Sequence, residues 1–199
     1  MTPAAAHAAQ LRGIEALVIG ASAGGIDALL RILPGLPARC SVPVAVVLHL
    51  PETRDSRLAQ VFGQHLALPV LQAEDKGTLR PGTIYFAPPG YHLSIENERT
   101  FSLSQEDPVH FSRPAIDMLM ASAADAYGAR LCGILLTGAS ADGAAGLARI
   151  GEAGGLTVVQ DPDDAEISTM PAAAIKLRAP NLILPLRDIR SLLANLETI

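Results

Sequence analysis

Tryptophan is absent from this 199-residue chain and aromatic residues make up only 4% of it, so its interior has to be filled by aliphatic side chains rather than rings. Cysteine is nearly absent too. Cys40 and Cys132 stand far apart without a C-x-x-C partner, which argues against a disulfide framework or a cysteine-ligated metal and leaves two reduced, buried thiols as the expectation. Basic residues are in the minority, with 15 Lys and Arg against 20 Asp and Glu for a net charge of −5. That balance excludes a broad basic surface for nucleic acid. No apolar run reaches the roughly 20 residues of a membrane span, and residues 1–10 lack the basic start and long apolar core of a signal peptide. A cytoplasmic protein with no nucleic-acid partner and no membrane insertion is therefore expected.

What is present is aliphatic: hydrophobic residues reach 49%, enough for one substantial core. Residues 1–12, with His7, read as a flexible tail and 13–199 as a single domain. Doubly apolar runs at 42–48 and 131–136 have the character of central parallel strands, buried on both faces. Further strands are expected at 15–20, 70–72, 156–160 and 182–184, with helices at 24–33, 57–66, 144–153, 170–177 and 188–196. The longest helical stretch opens with Ser112 as its N-cap and Pro114 in its first turn, and stops at Gly128. Short β-type runs at 83–87, 93–96 and 100–103 suggest an antiparallel hairpin attached to the main sheet. Strands alternating with helices predict a three-layer, doubly wound α/β fold with a mostly parallel sheet and a hairpin excursion.

The sharpest local signal lies between Ala16 and Leu30. An apolar run ends at Gly20, the chain turns through Ser22, and an apolar helical pattern follows Gly24 and Gly25. Gly20, Ser22 and Gly24 spell G-x-S-x-G, the pattern of a nucleophile elbow in which small neighbours let a tight turn expose Oγ. The N–H groups opening the following helix would favour an oxyanion. Two other readings of the same turn stay open. One is a Rossmann phosphate loop, although Ser22 stands at the second glycine position and no acid closes the second strand. The other is an ordinary strand-to-helix turn in which Ser22 caps the helix.

In a doubly wound sheet, ligands bind outside the carboxyl ends of the strands. Three of those ends carry Ser22, His49 and the Asp142 loop. Together they form a hydrolytic constellation in which His49 suits the role of general base. For the acid, Asp142 in its glycine-flanked loop competes with Asp161 at the end of the next strand. His65 falls in a predicted helix, while His92 and His110 flank the hairpin region as candidate cleft residues. Asp27 reads as an acid in the first turn of a helix. Asp163, Asp164 and Glu166 lack calcium-loop spacing and a histidine cluster, so neither metal nor cofactor is expected. The order serine, histidine, acid is not that of the α/β-hydrolases, but such triads arise in different orders on unrelated folds.

Gly20-Ala21-Ser22-Ala23-Gly24-Gly25, His49-Leu50-Pro51 and Leu136-Thr137-Gly138-Ala139-Ser140-Ala141-Asp142-Gly143, in that order, resemble the signature of the bacterial chemotaxis methylesterases, the CheB catalytic-domain family. Arg113-Pro114-Ala115-Ile116-Asp117, Tyr85-Phe86-Ala87-Pro88 and Gln160-Asp161 extend the resemblance, which runs over residues 16–189. It implies hydrolysis of glutamate methyl esters, with glutamine deamidation in some members. The implied partner is the cytoplasmic helical bundle of chemoreceptors, with other chemosensory proteins as further partners. It also implies Ser22 as nucleophile, His49 as base, Asp142 as the orienting acid, and the N–H groups of Ala139 and Ala23 as oxyanion donors.

The chain departs from the family pattern at several places. Ala23 replaces a threonine beside the serine, Ala139-Ser140 replaces Met-Gly, Leu48 replaces a glutamine, and Arg54 and Val61 fall at the family's aromatic and arginine positions. The segment ahead of Ala16 is too short to fold as a receiver domain, so the usual phosphorylation switch is expected to be missing. A catalytically weak or inactive relative that binds a receptor or partner is the alternative these departures raise.

Overall fold

The computed structural model describes residues 11–49 and 57–196. Expectations for the tail with His7, for Leu50, Pro51 and Arg54, and for residues 197–199 lie outside the described residues. In chain order the elements are β1 (Ala16–Ala21), α1 (Gly25–Ile32), β2 (Val44–Leu48), α2 (Leu58–Gly63), β3 (Val70–Gln72), β4 (Ile84–Phe86), β5 (His92–Ile95), β6 (Phe101–Ser104), α3 (Ile116–Tyr127), β7 (Leu131–Leu135), α4 (Ala144–Glu152), β8 (Leu156–Gln160), α5 (Thr169–Leu177), β9 (Leu182–Leu184) and α6 (Leu186–Leu193). None of the described helices is long and apolar enough to cross a membrane.

Seven strands form one parallel sheet in the order β3-β4-β2-β1-β7-β8-β9. β1 is its hub, because the chain leaves it toward β2 on one side and joins β7 on the other. All six β1 residues are buried, and the two-residue alternation of a strand sends them to opposite faces. Leu17, Ile19 and Ala21 pack with Ala28, Leu29 and Ile32 of α1 and Ile189 of α6. Ala16 and Val18 pack with Leu119 and Met120 of α3, and Leu147 and Ile150 of α4 complete that layer. Each such fully buried Leu or Ile contributes on the order of 1.5–3 kcal/mol.

Gly20 faces α3, where a Cβ would fall 2.3 Å from Ile116 Cγ2. Its lack of a side chain therefore serves the close approach of the helix. Cys40 and Cys132 are both buried and unpaired. Burial pushes the Cys132 thiol up to about 12 and raises that of Cys40, so both are poor nucleophiles.

Three expectations are corrected by the structure. Residues 84–86 are not part of a hairpin: β4 pairs in parallel with β2 and β3 inside the main sheet. The hairpin is β5 with β6 alone, a separate two-stranded antiparallel sheet. It lies on α3, where Ser122 Oγ accepts a hydrogen bond from the Ile95 N–H at 3.0 Å, and it buries Leu93, Ile95 and Phe101. Ser112, in turn, does not cap α3. The helix begins at Ile116 after an extended Ala115 with no side-chain cap from its own segment, and its first N–H groups find a partner elsewhere. The last helix starts earlier than its periodicity suggests, because Asp164 Oδ2 accepts from the Leu186 N–H at 2.9 Å.

Candidate active site

β1, β2 and β7 are adjacent at the point where the strand order reverses, and their carboxyl ends carry the candidate residues. The last paired positions of β1 and β2 are Ala21 and Leu48, so Ser22 and His49 are the next residues out on neighbouring strands. Strands lie about 4.8 Å apart. The His49 N–H donates to Ala21 O at 3.1 Å, and the Ser22 N–H donates to Thr137 O at 3.0 Å beyond β7. Ser22 is thereby held between the two neighbouring strands.

The turn after Ser22 is tight. The Gly25 N–H returns to Ser22 O at 2.8 Å, and Gly24 caps α1 in the left-handed region at φ 76°, where a side chain would be strained. Ser22 is therefore not the helix cap. The hydroxyl of Thr137 binds this turn to the one after β7 by donating to Ala23 O at 2.9 Å, and it accepts from the Ile167 N–H at 2.9 Å. Gln160 Oε1 accepts from the Thr137 N–H at 2.9 Å, holding the chain end that supports Ser22. Sequence patterns gave no sign of either role, because both partners come from other strands.

Asp142 is completely buried and lies beneath His49, with Oδ2 2.7 Å from His49 Nε2. Its carboxylate also accepts from the Ile116 N–H at 2.7 Å and the Asp117 N–H at 3.0 Å. These are the first two N–H groups of α3, so Asp142 supplies the cap that Ser112 does not. Burial by itself raises the pKa of such a group, but here the hydrogen bonds from His49, Asp117 and Ile116 outweigh it. The carboxyl is held below the usual aspartate range. An ionised carboxylate only accepts, so Nε2 of His49 carries the hydrogen and Nδ1 is the ring's basic nitrogen.

Nδ1 faces Ser112, whose Oγ is 3.4 Å away. No hydrogen bond joins Ser22 Oγ to His49 among the described residues. Catalytic contacts are often loose in unliganded enzymes.

The rival acid sits elsewhere: Asp161 Oδ1 accepts from the Asp163 N–H at 3.0 Å within its own loop. Of that acidic loop, Asp164 binds Gln160 and the start of α6. Asp27 stands in the first turn of α1, as expected. His65 bonds Val61 O at 2.9 Å, and buried His92 is held by Asp107 O and the Ala115 N–H. His110 Nε2 lies 3.4 Å from Asp117 Oδ2. The Asp117 carboxyl is raised, chiefly by burial and further by the nearby Asp142 charge, against the lowering pull of the Gly146 N–H and His110.

Ala23 and Ala139 are exposed at the two turns, and neither N–H finds an acceptor among the described residues. Ser140 has a local use: its Oγ accepts from the Asp142 N–H at 3.3 Å.

A family profile described as CheB methylesterase matches residues 17–193. A Leptospira interrogans protein provisionally named protein-glutamate methylesterase/protein-glutamine glutaminase is 44% identical over 183 residues, covering 92% of this chain and 95% of the relative. A protein-glutamate methylesterase/protein-glutamine glutaminase of Anaeromyxobacter dehalogenans is 42% identical over 176 residues, covering 88% of this chain and 51% of its own length. The crystal structure of the Thermotoga maritima CheB methylesterase catalytic domain superposes with a TM-score of 0.87 at 31% identity, covering 92% of this chain and 99% of that one.

Proposed function

The chain belongs to the CheB methylesterase family, and on that footing we propose that residues 13–199 act as one catalytic domain that hydrolyses glutamate methyl esters. The substrate is the cytoplasmic helical bundle of chemoreceptors, and the setting is the cytoplasm. The observation that carries the mechanism is the 2.7 Å contact between His49 Nε2 and the buried Asp142 carboxylate, one register position across from Ser22.

With Nε2–H committed to Asp142, His49 Nδ1 takes the proton of the Ser22 hydroxyl as Oγ attacks the ester carbonyl carbon. The N–H groups of Ala139 and Ala23 receive the oxyanion of the tetrahedral intermediate. When that intermediate collapses, Nδ1–H passes its proton to the methoxy oxygen and methanol departs, leaving an acyl ester on Ser22. Water then gives a proton to Nδ1 and attacks the acyl carbon; Ser22 Oγ leaves with that proton, and the glutamic acid so formed loses its remaining proton to solvent as the carboxylate. The same sequence applied to a glutamine amide expels ammonia, which accounts for deamidation by the same residues.

The test is methanol release from a methylated receptor fragment, together with labelling by a fluorophosphonate. Ser22→Ala should lower release by about 10³-fold or more, because triad members act as a unit, and labelling should map to Ser22. Near-normal release by the variant would overturn the assignment. One observation favours a second reading, a catalytically weak partner-binding protein: Ser112 Oγ, and not Ser22 Oγ, stands next to Nδ1. Under that reading Ser22 takes up no fluorophosphonate.

A further inference from the structure

Between the hairpin and α3 the chain makes a two-residue turn closed by mutual backbone hydrogen bonds, Val109 N–H to Ser112 O at 3.1 Å and Ser112 N–H to Val109 O at 2.9 Å. The two residues at its tip, His110 and Phe111, have φ of 49° and 61°. Turns of this kind ordinarily take Asn-Gly, and a bulky residue at positive φ is a true outlier. Such a conformation persists only where the surroundings over-determine it.

Here they do. The Arg113 guanidinium donates to the carbonyls of Gln105 and Glu106 at 3.3 and 3.1 Å, and His92 Nε2 bonds Asp107 O at 3.1 Å. His110 pairs with Asp117, whose Oδ1 in turn accepts from the Gly146 N–H at 2.6 Å.

What this clamped turn displays is a phenyl ring in water. Phe111 is fully exposed, whereas the next most exposed large apolar side chain among the described residues, Leu177, reaches 58%. Single surface hydrophobics are common, so exposure alone is no argument. The ring gains nothing from folding, yet its turn is held in an unfavourable backbone region by the two Val109–Ser112 bonds and the His110–Asp117 contact.

Its position gives the ring a use. The next residue is Ser112, whose Oγ touches the basic nitrogen of His49. Consecutive Cα atoms lie about 3.8 Å apart, so Phe111 leaves the backbone one residue from the side chain that contacts His49. Two further exposed rings or branched chains leave the same sheet edge: Ile26, four residues after Ser22, and Tyr91, in the segment following β4.

We propose that Phe111 is a substrate-docking residue, inserting against an apolar side chain of the receptor helix about one turn away from the esterified glutamate. The inference rests on the methylesterase reading. Residues three and four apart on a helix sit about 5–6 Å from each other, so a helix that delivers one side chain to the base also presents its neighbours one turn away to the surface beside it. The ring thus distinguishes a helical protein ester from a free ester of the same chemistry.

The experiment compares kcat/KM for a methylated receptor fragment with kcat/KM for a small ester, N-acetylglutamate γ-methyl ester, in wild type, Phe111→Leu, Phe111→Ser and Phe111→Gly. The ratio of protein to small ester should fall about tenfold or more in the Ser and Gly variants, the size of a lost apolar anchor. Phe111→Leu should restore most of it. The melting temperature should rise in Phe111→Gly, because glycine adopts positive φ without cost.

A ratio equal to that of wild type, or a parallel loss on both esters, overturns the docking role. So does a concentration-dependent dimer that the Ser variant abolishes. Failure of the wild type to hydrolyse either ester overturns the catalytic reading instead.

Discussion

His49 and Asp142 are joined through Nε2 and Oδ2 at 2.7 Å, which leaves Nδ1, the nitrogen closer to the backbone, as the one free to accept a proton. The carboxylate that fixes this choice is also the cap of α3, since the Ile116 and Asp117 N–H groups share it. One buried charge therefore holds both the His49 ring and a helix start. Changes at Asp142 should be felt in activity and in stability together.

Asp142→Asn tests the first of these. An asparagine amide directed at Nε2 no longer demands a hydrogen there, so the ring loses its fixed tautomer. Methanol release should drop by about 10³-fold. Nitrogen-15 spectra of the imidazole should change from a single Nε2–H form to a mixture. A variant with wild-type turnover would show that His49 needs no orienting acid.

Acid titration tests the second. The folded-state Asp142 carboxyl lies below its ordinary value, net of burial, through the bonds from His49, Asp117 and Ile116. Its stabilisation is thus complete above the unfolded value of about 3.9 and is lost as pH falls through the lower folded value. Asp117, raised mainly by burial, acts with the opposite sign, costing stability as pH rises through its folded value. Urea midpoints should fall more steeply with acid below about pH 4 in wild type than in Asp142→Asn. Parallel curves would contradict this.

Gly138→Ala probes the support of the serine. A Cβ at this position would lie 2.6 Å from Met170 Cε and 2.9 Å from Ser22 Cβ. The methionine end is flexible and can give way, but Ser22 is held by Thr137 and Gly25 and must shift with its turn. Displacement of about 1 Å at a nucleophile costs roughly 10²-fold in rate, so turnover should fall by about that factor. The melting temperature, by contrast, should fall only by the few degrees of a modest overpacking. An active variant would show that Gly138 serves folding alone.

Much of the architecture was legible because its signals are local. The apolar runs at 42–48 and 131–136 are strands because only strands buried on both faces tolerate such composition. The helical spacing of Ala28, Leu29 and Ile32 turns one face of α1 to the sheet, as its periodicity implies. The misread pieces were decided at a distance. Residues 84–86 join the parallel sheet because β2 and β3 flank them, and α3 begins without Ser112 because Asp142 arrives 25 and 26 residues later to bind its first N–H groups.

The amino-acid sequence by itself determined the alternation of strands and helices, and with it that Ser22, His49 and the Asp142 loop leave the same edge of one sheet. Only the tertiary structure decided that Asp142 and not Asp161 reaches His49, that Nε2 makes that contact, and that Thr137 and Gln160 brace the serine's turn. It also decided that Ser112 faces His49 while Phe111 stands in water. The physical reason is the same in each case. These contacts join residues up to 114 positions apart, and a period or a motif carries no record of which distant partner will satisfy a buried donor or acceptor.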